Sequence, residues 1–220
     1  MCKKEQVEKS PKDENEENMK SIVAKGLFHS HSYAEYRKLV TDLLLEGKST
    51  GNEQSEDLLH YSELNETRLH RLDKTMKITE VNVAKLHSLK NEYIWLVLAE
   101  GWCGDAAQLL PVFNKMALES NKNIDLRIVL RDENEELMNH FLTNKAKAIP
   151  KLIVINKNTG GIAGDWGPRP KGAVELIQNY KKQHGVVDET AKADLQLWYL
   201  HDKGVSTQNE ILDIMLSLEQ

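Results

Sequence analysis

Residues 94–106 read Ile-Trp-Leu-Val-Leu-Ala-Glu-Gly-Trp-Cys-Gly-Asp-Ala, which places a cysteine just after a long apolar run. Such a run is typical of a strand covered on both faces of a sheet, and a helix is predicted from Gly104. Cys103 therefore lies at a strand-to-helix turn, where unpaired backbone N–H groups and the helix dipole favour the thiolate. Position 106, where a second cysteine would complete a Cys-x-x-Cys pair, holds alanine. A lone thiol can form a mixed disulfide but cannot release it by local attack.

The composition is that of an ordinary globular protein. The chain has 220 residues, of which 40% are hydrophobic and 29% charged, and its net charge is -5. This length suits one core with appendages or two small domains. Lysine and arginine are spread along the chain, so no nucleic-acid partner is predicted. No apolar run approaches the roughly 20 residues that cross a bilayer, so no membrane span is predicted.

The two cysteines, Cys2 and Cys103, are far apart in the chain and do not form a disulfide framework. The first residues lack the apolar segment of a signal peptide, so a cytoplasmic location is predicted. The alternative is a lipid anchor on Cys2, which applies if a signal peptide has been removed from this sequence. A further possibility is that Cys2 is the thiol that resolves a mixed disulfide on Cys103. An unstructured tail would, however, present Cys2 at low effective concentration. The sequence does not fix the oligomeric state.

The ends of the chain are predicted to be additions to a central domain. Residues 1–18 are almost wholly polar and predict a mobile charged tail. Residues 19–74 predict an N-terminal helical extension, with a capping box at Ser32-Tyr33-Ala34-Glu35. Residues 185–220 predict two more helices, the second opening with a capping box at Thr207, and both packing on the central domain.

Residues 75–184 alternate between short strands and helices, which predicts a domain of the α/β class. The predicted strands cover residues 76–79, 93–99, 126–130, 152–155 and 162–166. The predicted helices cover residues 81–89, 104–120, 133–142 and 171–183. The last two strands form a hairpin, so the sheet is mixed, with helices on both sides.

Four features of this region together resemble the thioredoxin family. Trp102-Cys103-Gly104 follows an apolar strand, and Pro111 lies eight residues after the cysteine, where thioredoxins have a helix-kinking proline. Ile149-Pro150 opens a strand at the position of the family's cis-proline loop. Gly167 follows the hairpin, where a glycine lets the backbone approach the active-site surface. The resemblance covers residues 75–184 and implies a thioredoxin-like fold, with a central mixed sheet flanked by helices and extra helices at both termini.

The resemblance also implies which residues form the site. Cys103 is the catalytic thiol, and a cis peptide bond before Pro150 would let Ile149 offer its backbone to an extended substrate strand. The remaining residues of the predicted active-site rim are Trp102, Gly104, Asp105, Trp166, Gly167 and Arg169. Trp102 and Trp166 flank the thiol. Arg169 is predicted to pair with Asp105 or with a substrate carboxylate, or to remain in solvent.

The sequence departs from the family where the second half of the dithiol cycle takes place. Ala106 replaces the resolving cysteine, which gives a single-cysteine Cys-Gly-Asp-Ala motif, and Val97 occupies the position of a buried acid. Asp105 would repel a thiolate that the helix terminus favours, so the sign of the shift in the pKa of Cys103 stays open. Lys151, after the predicted cis-proline, places a cation near the site.

Two functions fit these residues. The first is a monothiol thioredoxin-family protein that forms a mixed disulfide through Cys103 and needs an external thiol to resolve it. With that thiol, such a protein would act as a thiol–disulfide oxidoreductase. Its partners would be protein thiols or disulfides, or glutathione as a co-substrate. The alternative is a redox-silent protein-binding module that uses the same groove. No cofactor and no metal site are predicted for either.

Overall fold

The computed structural model describes residues 11–219, which form nine helices and four strands. The helices are α1 (Pro11–Phe28), α2 (Tyr33–Leu45), α3 (Glu56–Thr75), α4 (Glu80–His87), α5 (Gly104–Glu119), α6 (Glu135–His140), α7 (Lys171–His184), α8 (Glu189–Asp202) and α9 (Val205–Ser217). The strands are β1 (Tyr93–Ala99), β2 (Ile124–Leu130), β3 (Lys151–Asn156) and β4 (Ile162–Trp166). No helix of this described part of the chain is both long and apolar enough to cross a bilayer.

The four strands form one mixed sheet in the order β2-β1-β3-β4, which confirms the predicted α/β class. β1 runs parallel to β2 and antiparallel to β3, and β3 and β4 form the predicted hairpin. Successive side chains of β1 point to opposite faces of the sheet. Trp95 contacts Phe113 of α5 on one face, whereas Leu96 lies beside α1 and α6 on the other. Helices on both faces explain why β1 is apolar along its whole length.

The helices before and after this region pack on it closely. Ser32 and Glu35 form the predicted capping box of α2, in which each side chain accepts a hydrogen bond from the other residue's backbone N–H. At the other end of the chain, α9 packs on α4 and α5 and buries Ile211, Leu212 and Met215 completely. The C-terminal helices therefore contribute to the main hydrophobic core.

Two local predictions are wrong, for reasons that the neighbouring residues explain. Residues 76–79 are an extended connection and not a strand, because Met76 is the C-cap of α3 and Thr79 is already the N-cap of α4. Thr207 does not open a capping box, because α9 begins at Val205 after Gly204. Thr207 is fully buried inside that helix, and the Glu210 side chain binds elsewhere.

The boundaries at the N-terminus and around α6 also differ from the prediction. Helix α1 begins at Pro11, inside the range 1–18 that the sequence predicts as a tail. Residues 1–10, and with them the roles proposed for Cys2, lie outside the described residues. Helix α6 is four residues shorter than the predicted segment 133–142.

Candidate functional site

Cys103 is the N-cap residue of α5 and lies at the junction between β1 and that helix. Its Sγ accepts a hydrogen bond from the backbone N–H of Ala106 at 3.5 Å and donates one to the carbonyl oxygen of Ile149 at 3.4 Å. The Ile149–Pro150 peptide bond is cis. The structure therefore brings together the thiol and the start of β3, and Cys103 as a residue is only 8% exposed.

Gly167 lies against the other side of the cis-proline. Its φ is +123°, and a Cβ atom added to it would come within 2.3 Å of the carbonyl oxygen of Pro150. Only glycine fits this close approach of two backbone segments. Gly167 therefore has the position that the sequence predicts for it.

Asp105 is buried and is bound by two side chains that come from distant parts of the chain. Arg169 contacts Oδ2 with Nε at 2.8 Å and with Nη2 at 2.7 Å. The Tyr199 hydroxyl of α8 donates a hydrogen bond to Oδ1 at 2.7 Å. Of the alternatives open for Arg169, the structure shows the ion pair with Asp105. Both oxygens of the carboxylate are thus satisfied within the protein.

The surroundings of the Cys103 thiol favour its protonated form. Burial raises its pKa to about 12, and the negative charge of Asp105 acts in the same direction. The backbone N–H groups of Ala106 and Asp105, and the charge of Arg169, lower the pKa by less than burial raises it. Lys151 forms an ion pair with Asp165. The cation expected near the thiol is therefore neutralised by a carboxylate of the neighbouring strand.

Helices α3 and α8 cover the face of the sheet on which the thiol lies. Asn65 donates a hydrogen bond to the carbonyl oxygen of Gly101 at 2.9 Å, and Arg68 donates one to Asn65 at 2.6 Å. Gln196 of α8 accepts a hydrogen bond from Gln108 of α5 at 2.7 Å. These contacts hold α3 and α8 over the groove that a thioredoxin-like fold would otherwise present to solvent.

A cavity of about 530 Å³ remains beneath this cover, and we call it the thiol cavity. Its lining comes from α3 (Leu58, Tyr61, Leu64, Arg68), from the motif (Trp102, Cys103, Gly104, Asp105), from Arg169 and from α8 (Glu189, Lys192, Ala193, Leu195, Gln196). Arg169 pairs with Asp105, and Lys192 pairs with Glu189 at 2.6 Å. Among the described residues, the guanidinium of Arg68 donates a hydrogen bond to the Asn65 side chain and has no carboxylate within ion-pair distance. One positive charge of the thiol cavity is therefore not compensated by a carboxylate.

Trp102 and Trp166 occupy different environments. Trp102 lines the thiol cavity and lies beside Arg131, whose guanidinium is 4.8 Å from the centre of the indole. Trp166 is buried against Phe113 at 5.8 Å between ring centres and does not line that cavity. Its Nε1 donates a hydrogen bond to Glu210 of α9 at 2.9 Å. Trp166 therefore supports the sheet behind the site.

Sequence reasoning missed the residues of α3 and α8 that complete the site. Within α3 the apolar Leu64 is 40% exposed. Asn65 is buried instead, because its side chain satisfies the backbone of Gly101. A polar residue between apolar positions of a helix is a faint signal, and nothing in the sequence links it to a residue 36 positions away.

The comparisons with known proteins agree with the fold. A family model described as thioredoxin matches residues 51–181. Because this match covers more than half of the chain, the protein belongs to the thioredoxin family. The predicted thioredoxin-like fold, with extra helices at both termini, is confirmed. Among curated proteins, none matches the sequence significantly.

Two solved structures share the fold. One is a protein of unknown function from Pseudomonas aeruginosa, with a TM-score of 0.54 and 18% identity over 85% of this chain and 98% of that chain. The other is an HIV epitope scaffold, with a TM-score of 0.53 and 19% identity over 85% of this chain and 99% of that chain. At this identity the likeness concerns the fold alone.

Proposed function

We propose that the protein binds a small anionic molecule in the thiol cavity and that Cys103 remains a protonated thiol in the resting protein. The observation that carries this proposal is the cavity of about 530 Å³ between α3, α8 and the motif, with Arg68 as its cation without a carboxylate partner among the described residues. The proposal is closer to the redox-silent alternative than to a monothiol enzyme, but its ligand is small.

The cover formed by α3 and α8 argues against an extended protein strand as the ligand. Strand addition needs an exposed backbone edge. Ile149 is 7% exposed and Cys103 8%, and the carbonyl of Gly101 is already bound to Asn65. A protein segment would have to displace α3 and α8 before it reached the thiol.

The size and the chemistry of the thiol cavity suit a ligand that carries a carboxylate. Small-molecule sites have volumes of about 300–1,000 Å³ and combine apolar walls with a few placed polar groups. Leu58 and Leu195 supply apolar surface, and Tyr61 supplies an aromatic ring. Arg68 is half-buried, and a guanidinium in that position binds a carboxylate more strongly than one in water. Glutathione has this chemistry, because it is a short peptide with two carboxylates.

S-methylglutathione tests the proposal, because its blocked sulfur cannot exchange with Cys103. We expect isothermal titration calorimetry to detect its binding to the wild-type protein. Arg68→Gln should weaken the binding about tenfold or more, since a hydrogen bond to a charged group contributes about 1.5–3 kcal/mol. Arg127→Gln is the matched control, because Arg127 lies on β2 and pairs with Asp125 outside the cavity.

Two results would contradict the proposal. One is the absence of S-methylglutathione binding. The other is an equal loss of affinity in Arg68→Gln and Arg127→Gln, which would place the ligand outside the thiol cavity. Circular dichroism of both variants shows whether the fold is retained.

Monothiol exchange is the second candidate, because Cys103 lines the same cavity and its sulfur accepts a backbone N–H bond that favours the thiolate. In this reaction the thiolate attacks a disulfide R–S–S–R, forms Cys103–S–S–R and releases R–S⁻. An external thiol then reduces the mixed disulfide and restores Cys103.

Oxidised glutathione separates the two candidates. In a Cys2→Ser background, the binding proposal predicts no covalent adduct at pH 7.5 by intact mass spectrometry. Formation of an adduct within minutes, lost in Cys103→Ser and reversed by reduced glutathione, would establish monothiol exchange.

A further inference from the structure

A second cavity lies further along α3 and α8, toward the C-terminal ends of both helices, and we call it the apolar cavity. It has a volume of about 610 Å³ and lies between the end of α3, the connection 76–79, the end of α8 and the start of α9. Its walls are mainly aliphatic: Leu72, Met76, Ile78, Leu109, Leu200 and Val205. Leu200 is 48% exposed and Val205 37%, so apolar surface continues to the opening.

Positive charge surrounds this opening. Arg71, Lys77 and Lys203 line the cavity, and Glu80 is the acid among its lining residues. Within residues 11–219, none of these three cations has a carboxylate partner within ion-pair distance. The opening therefore has a surplus of positive charge next to an aliphatic interior.

The two cavities are separate. Two hydrogen-bonded pairs form the wall between them, Gln108 with Gln196 and Tyr199 with Asp105. Gln108 and Tyr199 line the apolar cavity, whereas Gln196 and Asp105 line the thiol cavity. A ligand of the apolar cavity therefore does not contact Cys103.

The turn between α8 and α9 holds the shape of the apolar cavity. Gly204 has a φ of +76°, and a Cβ atom added to it would lie 2.9 Å from Val112 and 3.3 Å from the sulfur of Met76. This turn thus packs directly on the connection 76–79. The cavity is formed by packed elements and does not depend on a loose loop.

We infer that the apolar cavity binds a free amphipathic carboxylate, with its aliphatic chain along Leu72, Leu109 and Ile78 and its carboxylate among Arg71, Lys77 and Lys203. The volume lies within the range of about 300–1,000 Å³ that small-molecule sites occupy. An aliphatic chain gains free energy from each methylene that it buries. A carboxylate is ionised at neutral pH and matches the surplus charge at the opening. The inference does not depend on the function proposed for the thiol cavity.

A series of carboxylates with aliphatic chains of increasing length tests whether the chain binds inside the apolar cavity. We expect octanoate, decanoate and dodecanoate to bind the wild-type protein with an affinity that rises about fourfold per methylene, the ratio that corresponds to about 0.8 kcal/mol per buried CH₂. Val205→Trp, which places an indole at the opening, should weaken all three ligands. Cys103→Ala should change none of them.

Removal of the positive charges at the opening of the apolar cavity tests where the carboxylate of the ligand binds. The triple variant Arg71→Gln, Lys77→Gln, Lys203→Gln should bind decanoate about tenfold more weakly and decanol, which has no charge, as tightly as the wild type does. Lys90→Gln, Lys181→Gln, Lys182→Gln is the matched control, because it removes the same charge from exposed positions outside the cavity. All six positions except Arg71 are lysines, and the substituted side chains are exposed, so both proteins should fold.

Three results would overturn the inference. The first is an affinity that does not depend on chain length. The second is equal binding of decanoate by the triple variant and its control. The third is a dimer in sedimentation experiments that Leu200→Asp dissociates, combined with no binding of decanoate, since a second copy of the chain would then occupy the opening.

Discussion

At Cys103 two opposing effects act on one thiol, and their sizes decide its state. A helix terminus stabilises a charge by typically 0.3–1 kcal/mol, and by about 2 kcal/mol in a partly buried site. Full burial shifts a pKa by up to about 3–5 units, which corresponds to more than 4 kcal/mol. Burial and Asp105 therefore prevail over the helix terminus, and the pKa of Cys103 rises.

Asp105→Asn tests this account, because the variant removes the negative charge next to the sulfur and leaves Arg169 in place. The pKa of Cys103 should fall below the wild-type value while staying above that of an exposed thiol, since burial is unchanged. The rate of alkylation by iodoacetamide as a function of pH, in a Cys2→Ser background, measures both values.

Asp194→Asn is the matched control, because it removes an exposed carboxylate of α8 that does not line the thiol cavity. A wild-type pKa near the ordinary value of about 8.5 would contradict the account, as would identical pKa values in the two variants.

The elements differ in how far the sequence predicts them. β1 and the hairpin of β3 and β4 follow their predicted positions, because an uninterrupted apolar run and a turn are local signals. The connection 76–79 has an apolar alternation like that of a strand, but hydrogen bonds of Gln208 to Thr79 and Lys77 hold it beside α9 instead. Whether such a segment becomes a strand depends on a neighbouring strand to pair with, and the four residues themselves do not reveal whether one is present.

The cover of the site could not be predicted for the same reason. Tyr199 and Asp105 are 94 positions apart, and their hydrogen bond leaves no periodic pattern in either segment. The motif, the cis-proline and Gly167 were predictable because each has its own residue signature. The sequence therefore indicated the thiol and the groove, but not the helices that cover the groove.

One carboxylate of helix α9 forms hydrogen bonds with both the sheet and the start of α7. Glu210 accepts a hydrogen bond from Nε1 of Trp166 at 2.9 Å and one from the backbone N–H of Lys171 at 2.7 Å. Glu210→Gln replaces one acceptor with a donor. The free energy of unfolding should fall by about 1–3 kcal/mol, the cost of leaving such a donor unsatisfied.

Urea denaturation measures this change, and Glu175→Gln on α7 is the matched control. Glu175 lies in the same surface depression as Glu210, and its substitution should stay within about 0.5 kcal/mol of the wild type. Equal stability of the two variants would show that Glu210 does not join the three elements.

At the scale of the whole molecule, buried thiol and phenol groups make the free energy of unfolding depend on pH in the alkaline range. The pKa of Cys103 is raised by burial to about 12, and burial raises the pKa values of Tyr36 and Tyr199 above the ordinary value for tyrosine. In the unfolded chain these groups lose their protons from about pH 8.5 for the thiol and about pH 10 for the phenols. A raised pKa in the folded state thus gives stability that is present below the unfolded pKa and lost as the pH rises above it.

We therefore expect the free energy of unfolding to fall from about pH 8.5 by up to about 1.4 kcal/mol per pH unit, and more steeply above about pH 10. In a Cys2→Ser background, Cys103→Ala should remove the first part of this decrease and keep the second. Urea denaturation at pH 7.5 to 10.5 measures both parts. Parallel curves for the two proteins between about pH 8.5 and 10 would contradict the assignment to Cys103.

The way in which α3 and α8 cover the motif limits what a second cysteine in it could do. Ala106 is 1% exposed, so an Ala106→Cys substitution would add a second sulfur inside the hydrophobic core. That sulfur would lie beneath α3 and α8, which are encoded more than 30 codons upstream and more than 80 codons downstream of position 106. A protein disulfide could reach such a cysteine pair only if α3 and α8 moved, so the substitution by itself should not give dithiol activity toward protein substrates.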